Sequence, residues 1–202
     1  MTLMIAHGTF EGRMSVNEHQ IVSSRDPASR HLDVSVITVS DTRTPETDRG
    51  GDLLQELVEA AGHRAVRRCI VSDDSIAIDA GIRESIAEPS IRAVLLTGGT
   101  GISPRDGTIE VVRRHLRVEI PGYGELVRRL GFDQVGTAAI LGRAVGGVVH
   151  RESSRGGPVL VFTMPGSVQA VESAMTDVVI PILPHAAWEV LKGMDDSSVT
   201  GS

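Results

Sequence analysis

Three features of this 202-residue sequence predict an α/β fold, a three-layer α/β/α sandwich with a mostly parallel central sheet. Short β-branched runs alternate with segments of helical periodicity, the pattern of strands joined by crossover helices. Aromatic residues make up 2% of the chain and apolar residues 41%, so the interior has to be built of Val, Ile, Leu and Ala, as in strands covered on both faces. Polar clusters rich in Asp, Gly, Ser and Thr follow successive apolar runs, where sheets of this class place their ligands.

Residues 1–32 carry scattered His, Ser, Arg and Asp without a sustained period and are read as a flexible N-terminal arm. One domain follows over 33–192, with no internal repeat or linker, and the small polar residues of 193–202 are read as a disordered tail. Order begins at Val34–Ser40, the first central strand, which runs into the polar stretch Ser40-Asp41-Thr42-Arg43. Past Arg49-Gly50-Gly51, the residues Leu53, Leu54, Leu57, Val58 and Ala61 mark one face of a helix that Gly62 stops.

Ala65–Val71 reads as a strand nearer the sheet edge, followed by Ser72-Asp73-Asp74-Ser75. Asp74 or Ser75 caps the next helix, in which Ile78, Ile82 and Ile86 recur at four-residue spacing before Pro89 closes it. The strand Ile91–Leu96 comes next, then a helix capped by Thr108 with Ile109, Val112 and Leu116 facing inward. Glu119 to Glu125 reads as a bend around Tyr123 that enters a helix through Leu126, Val127 and Leu130. Residues 134–149 suggest a short helix and then a strand near Val145–Val149. The hairpin tip at Arg151–Gly157 leads into the strand Pro158–Met164. Ser167 caps a helix through Val168, Val171, Ala174, Met175 and Val178, and residues 182–192, with Trp188, form a separate final helical segment.

The chemistry concentrates in Thr97-Gly98-Gly99-Thr100-Gly101-Ile102-Ser103-Pro104-Arg105-Asp106. A buried strand ending in several glycines exposes backbone amides to an anion, and Asp106 can hold the divalent ion that accompanies phosphate. No lysine follows in P-loop order and no G-x-G-x-x-G is present, so neither of those nucleotide motifs applies. The carboxyl-end rule places Asp41, Asp73, the 97–106 loop and Pro165-Gly166-Ser167 along one rim. Asp73 and Asp106 form a candidate magnesium pair; capping competes as an explanation for the first and a turn for the second. Serine-hydrolase chemistry is a poor match, because no G-x-S-x-G elbow exists, and His63, His115, His150 and His185 have no metal-ligand spacing.

A net charge of −6 gives no general attraction for nucleic acid or an acidic membrane, so a phosphorylated substrate has to be met by local arginines and a metal ion. The lone Cys69 excludes an intrachain disulfide and reads as a small buried hydrophobe. With no apolar span and no secretory start, a reducing, cytoplasmic location is expected.

Taken together, Val39-Ser40-Asp41-Thr42-Arg43, Thr97-Gly98-Gly99-Thr100-Gly101 with Asp106, Pro121-Gly122-Tyr123-Gly124-Glu125 and Met164-Pro165-Gly166-Ser167 resemble the MoaB/MogA family of molybdenum cofactor biosynthesis proteins, related to the gephyrin G domain. The resemblance covers roughly residues 33 to 192. It implies magnesium-dependent adenylylation of molybdopterin by ATP, with pyrophosphate as co-product, in a homotrimer or homohexamer that serves molybdenum or tungsten and works beside other cofactor enzymes. A catalytically weak molybdopterin-binding scaffold is the alternative the family allows. By motif, Asp73 and Asp106 become the catalytic, Mg2+-holding acids. Asp41, Thr97, Gly98, Gly99, Thr100, Gly101 and Ser103 become binding residues, and Gly122, Glu125, Pro165, Gly166 and Ser167 line the same pocket. The chain departs from the family at Asp48-Arg49-Gly50-Gly51 and Gly142-Arg143, where relatives often carry a serine.

Overall fold

Alternation along the first strand decides the layering. The computed structural model describes residues 27–151 and 156–195, and in it β1, Asp33–Val39, is buried at every position. Val34 and Val36 pack with Leu54 and Val58 on one side, while Ile37 and Val39 pack with Ile78 and Ile82 on the other, as the two-residue period of a strand requires. β2, Arg64–Val71, and β3, Ile91–Thr97, flank β1 in parallel. β4 is Val118–Glu119, β5 is Gly146–Val149 and β6 is Val159–Met164. The six strands lie in the order β2-β1-β3-β6-β5-β4. β3 and β6 pair in parallel, whereas the β4–β5 and β5–β6 pairs are antiparallel.

Helices cover both faces. α1, Arg49–Ala60, packs with the Val34 side, and α2, Ser75–Ala87, and α3, Thr108–His115, with the Ile37 side. α4, Pro121–Val135, α5, Val168–Ala174, and α6, Ile180–Asp195, join α1. The three-layer architecture and the mostly parallel sheet are as expected, and β2 is an edge strand, with β4 at the opposite edge. Asp74, not Ser75, caps α2 by accepting the Ala77 amide, and Ser167 caps α5 by accepting that of Ala170. Cys69 is half-buried beside the Ile37 layer and not the fully buried hydrophobe expected, and burial pushes its thiol pKa up, which disfavours the thiolate.

Several expectations give way to tertiary context. Thr108 does not cap α3; its hydroxyl donates instead to Gly98 O at 2.9 Å. The supposed bend over 119–125 is the end of β4 followed by the first turn of α4, with Pro121 at its start, where a missing amide hydrogen costs nothing. Tyr123 is therefore a core residue, 3% exposed, tilted on Phe162 at 4.9 Å and donating to Thr163 O at 2.9 Å. Residues 168–195 form one rod and not two helices, because a π turn at Met175–Val179 joins α5 to α6. That widened turn directly precedes Pro181, whose ring conflicts with regular α spacing.

The expected arm is partly built into the domain. Pro27–Arg30 forms a helical turn and Leu32 is fully buried in the core, because a large apolar side chain next to β1 has a cavity to fill. Residues 1–26 of the expected arm, 152–155 of the expected hairpin tip at 151–157 and 196–202 of the expected tail lie outside the described residues, while residues 193–195, expected in the tail, belong to α6.

Beside that hairpin, Arg151 spends its guanidinium on main-chain carbonyls. It donates to Ile86 O at 2.7 Å, to Gly156 O and Gly157 O at 2.6 Å each, to Glu88 O at 2.9 Å and to Ile91 O. Hydrogen bonds from a charged group contribute about 1.5–3 kcal/mol each, and unpaired buried carbonyls add their own cost. Arg151→Met is expected to lower the unfolding free energy by about 2–4 kcal/mol, read from urea melts with an unchanged slope.

Candidate functional site

The rim at the carboxyl ends of β1, β2, β3 and β6 is shaped by glycines. Gly98 has φ +97° and Gly99 φ +63°, a region that other residues reach only under strain. A Cβ at Gly98 would lie 2.3 Å from Val39 O, and one at Gly99 would lie 2.2 Å from Thr108 Oγ1. The loop thus crosses the switch point between β1 and β3 at a distance only bare backbone allows. Thr97 Oγ1 donates to Pro165 O at 3.1 Å and Gly98 N to Met164 O at 3.2 Å, which ties the loop to the end of β6.

Beyond the glycines the loop closes on itself. Asp106 Oδ2 accepts the Ser103 amide at 2.8 Å, while the Asp106 amide donates to Ser103 O at 2.9 Å. Ser40 Oγ accepts the amides of Thr42 and Arg43, both at 3.2 Å, and so turns the chain at Asp41 as it leaves β1. Asp41 Oδ1 accepts the Asp73 amide at 3.0 Å, and its other oxygen pairs with Arg105. An open cleft of about 430 Å³ lies there, lined by Asp41, Asp73, Arg105 and Gly107 among others.

The electrostatics of the cleft follow from crowded acids. Burial, and then the nearby charge of Asp106, raise the Asp73 pKa above its ordinary 3.8. The folded chain therefore holds the Asp73 proton more tightly than the unfolded chain does. That stability is present below the ordinary value and is lost as pH rises through the folded one. Asp73→Asn is expected to melt higher than the unsubstituted protein at neutral pH, with the gap closing as pH falls toward 4, read from melting temperature against pH.

Among the described residues no three His, Cys, Asp or Glu side chains form a metal-binding cluster. Two mutually repelling carboxylates suit Mg2+, which takes one or two protein carboxylates and completes its shell with substrate phosphate and water. Asp73 and Asp106, whose charges act on each other at this rim, are of the donor type such an ion takes.

The remaining sequence-predicted residues divide. Asp41 and Asp73 line the cleft with Pro104, Arg105 and Gly107, while Ser103 and Asp106 close the adjoining loop and the Thr97–Gly101 run enters that loop without lining the cleft. Pro165, Gly166 and Ser167 meet it from the β6 side, where a Cβ at Gly166 would stand 3.4 Å from the Gly98 Cα. Glu125 does not join them: it lines a separate cavity of about 380 Å³ with Arg113, Arg128 and Arg143, and Pro165 and Ser167 border a third of about 170 Å³. Gly122, exposed in the first turn of α4, lines none of these cavities. The single pocket expected for these segments is thus split, because residues 121–125 are wound into α4.

Packing explains the glycine at 51 and leaves the absence of a serine at Gly50 without a structural reason. Asp48, 1% exposed, accepts from Thr38 Oγ1 at 2.8 Å, Arg68 at 2.9 Å and the Gly51 amide at 3.0 Å. Gly51 is required, since its Cβ would lie 2.1 Å from the Asp48 carboxylate, whereas Gly50 has only ordinary contacts, with Thr97 and Gly166 at 3.9 Å.

Sequence reasoning missed two loop supports, Thr108 as an anchor and Arg143. Arg143 donates to Gly101 O and Asp106 O at 2.7 Å each, and no local pattern announces contacts 42 and 37 residues away.

Comparison with known proteins finds relatives along most of the chain. Residues 35–185 match a family described as a probable molybdopterin binding domain. Molybdenum cofactor biosynthesis protein B of Halalkalibacterium halodurans is 44% identical over 180 residues, which cover 89% of this chain and 99% of that protein. A crystal structure of a molybdenum cofactor biosynthesis protein B superposes with a TM-score of 0.75 at 39% identity, covering 81% of this chain and 98% of the other. The tungsten cofactor synthesizing protein MoaB from Pyrococcus furiosus does so at 0.71 and 32% identity, over 80% and 98% of the two chains.

Proposed function

The chain belongs to the MoaB/MogA family of molybdenum cofactor biosynthesis proteins, and from that premise we propose that it adenylylates molybdopterin with ATP and Mg2+. The observation that carries the proposal is the acidic cleft beside a glycine loop on the carboxyl rim, with Arg105 at its edge. A phosphate oxygen of molybdopterin attacks the α-phosphorus of ATP; the new P–O bond gives adenylylated molybdopterin as the bond to the β-phosphate oxygen breaks and pyrophosphate leaves.

Such a transfer requires in-line positioning and charge neutralisation and no nucleophilic side chain. When bound, Mg2+ supplies charge neutralisation to the polyphosphate oxygens. Asp73 and Asp106 hold the ion. The amides of Gly99 and Gly101 donate to phosphate oxygens at close range because no Cβ intervenes, with Thr97, Thr100 and Ser103 beside them, while Arg105 exchanges Asp41 for a phosphate. Pro165, Gly166 and Ser167 bound the site on its β6 side, next to the binding surface for the pterin. Glu125 enters this reading only through the separate cavity beside Arg143, and Gly122, which lines none of the three cavities, has no part in it.

Exposed apolar side chains on α4 and the 3₁₀ turn Gly136–Leu141, including Leu126 at 54%, Phe132 at 52% and Ile140 at 71%, support assembly as a homotrimer or homohexamer. The test is direct: the purified protein with molybdopterin, ATP and Mg2+ should release pyrophosphate, and omission of Mg2+ should stop it. Binding of molybdopterin without pyrophosphate release would replace this reading with that of a non-catalytic carrier.

A further inference from the structure

The 101–106 segment of the glycine loop has little to hold it in place. Ile102 is 65% exposed and Ser103, Pro104 and Arg105 are exposed as well, so burial does not anchor the segment. Gly101 at its start and Gly107 just beyond its end widen the range of backbone conformations open to it. The reciprocal bonds between Ser103 and Asp106 tie the segment to itself, and the exposed ion pair of Arg105 with Asp41 contributes little to its placement over the sheet.

We propose that Arg143 is the positioning residue for Asp106, fixing both ends of this segment through one guanidinium, a role that rests on the adenylylation reading. Nε donates to Gly101 O and Nη2 to Asp106 O, both at 2.7 Å, and the Arg143 amide donates to Thr100 O at 3.0 Å. Nη1 pairs with Glu110 in the first turn of α3, so the cation is neutralised without occupying the carboxylate of Asp106. Arg143 itself stands on firm ground: two residues on, the Val145 amide donates to Thr163 Oγ1 at 2.8 Å and the Thr163 hydroxyl donates back to Val145 O at 3.0 Å, locking this strand to β6.

Arginine suits the task for a geometric reason. Its planar fork reaches two carbonyls at once, where a lysine ammonium presents a point charge on a flexible stem. Small errors in placing a reacting group cost catalysis steeply, whereas a peripheral loop contributes little to global stability.

The experiment compares the unsubstituted protein with Arg143→Ala, and with Arg143→Lys should the alanine variant fail to fold. Pyrophosphate release and amide hydrogen exchange are measured in parallel. The expected result is a fall in kcat of about 100-fold with KM for ATP nearly unchanged. Added guanidinium should restore part of the turnover of Arg143→Ala. Amides of 101–107 should exchange faster while those of β3 stay protected. Unaltered exchange in the loop overturns the proposal, as does a kcat that survives the substitution. Were the unsubstituted protein to release no pyrophosphate, the adenylylation reading alone would fall, and loop exchange would still decide whether Arg143 places Asp106.

Discussion

Asp106→Asn is expected to reduce pyrophosphate release by about 100- to 1000-fold, the range seen when one preorganised electrostatic contact to a transition state is removed. The substitution is chosen because the asparagine oxygen still accepts the Ser103 amide, so the turn that Asp106 closes at 2.8 Å survives. What disappears is the negative charge. That loss also relieves Asp73, whose pKa is raised by burial and then by Asp106, so the variant should melt at or above the temperature of the unsubstituted protein. A folded Asp106→Asn protein with undiminished turnover would refute the metal-holding role. A variant that loses both turnover and fold would instead make Asp106 a structural residue.

Gly98→Ala is the substitution expected to damage stability most. The residue sits at φ +97° and its new methyl would lie 2.3 Å from Val39 O, a backbone atom of a strand buried along its whole length. A non-glycine residue held in disfavoured backbone geometry costs of order 1–3 kcal/mol, and here the neighbour cannot yield, so the total loss should be about 3 kcal/mol or more. Urea midpoints measure it. Gly107→Ala is the matched control: φ is −104° and nothing lies within 4 Å of the added methyl, so stability should stay level or rise by about 0.4–1 kcal/mol. Equal melts for the two variants would show that the close crossing of β1 by the loop is not constrained.

Much of the site was legible before any coordinates. Asp41, Asp73 and the 97–106 loop each follow an apolar run, and parallel strands bring such ends to one rim; the cleft between Asp41, Asp73 and Arg105 lies there. Less legible was the 119–125 stretch, whose paired glycines mimic a turn. In the fold, burial of Tyr123 against Phe162 outweighs the low helix propensity of Gly122 and Gly124 and winds the segment into α4.

The sequence by itself determined where β1, β2, β3, β5 and β6 run, which helix faces turn inward and which polar clusters follow the parallel strands, because strand and helix periods are local signals repeated within a few residues, whereas the two-residue β4 is too short to carry one. Only the tertiary structure decided that Arg143 grips Gly101 and Asp106, that Thr108 anchors Gly98 and that Glu125 faces a different cavity from Asp73. A polar side chain carries no mark of its distant partner. Its choice among many equivalent carbonyls and carboxylates is made by the packing of apolar layers that brings a few of them within reach.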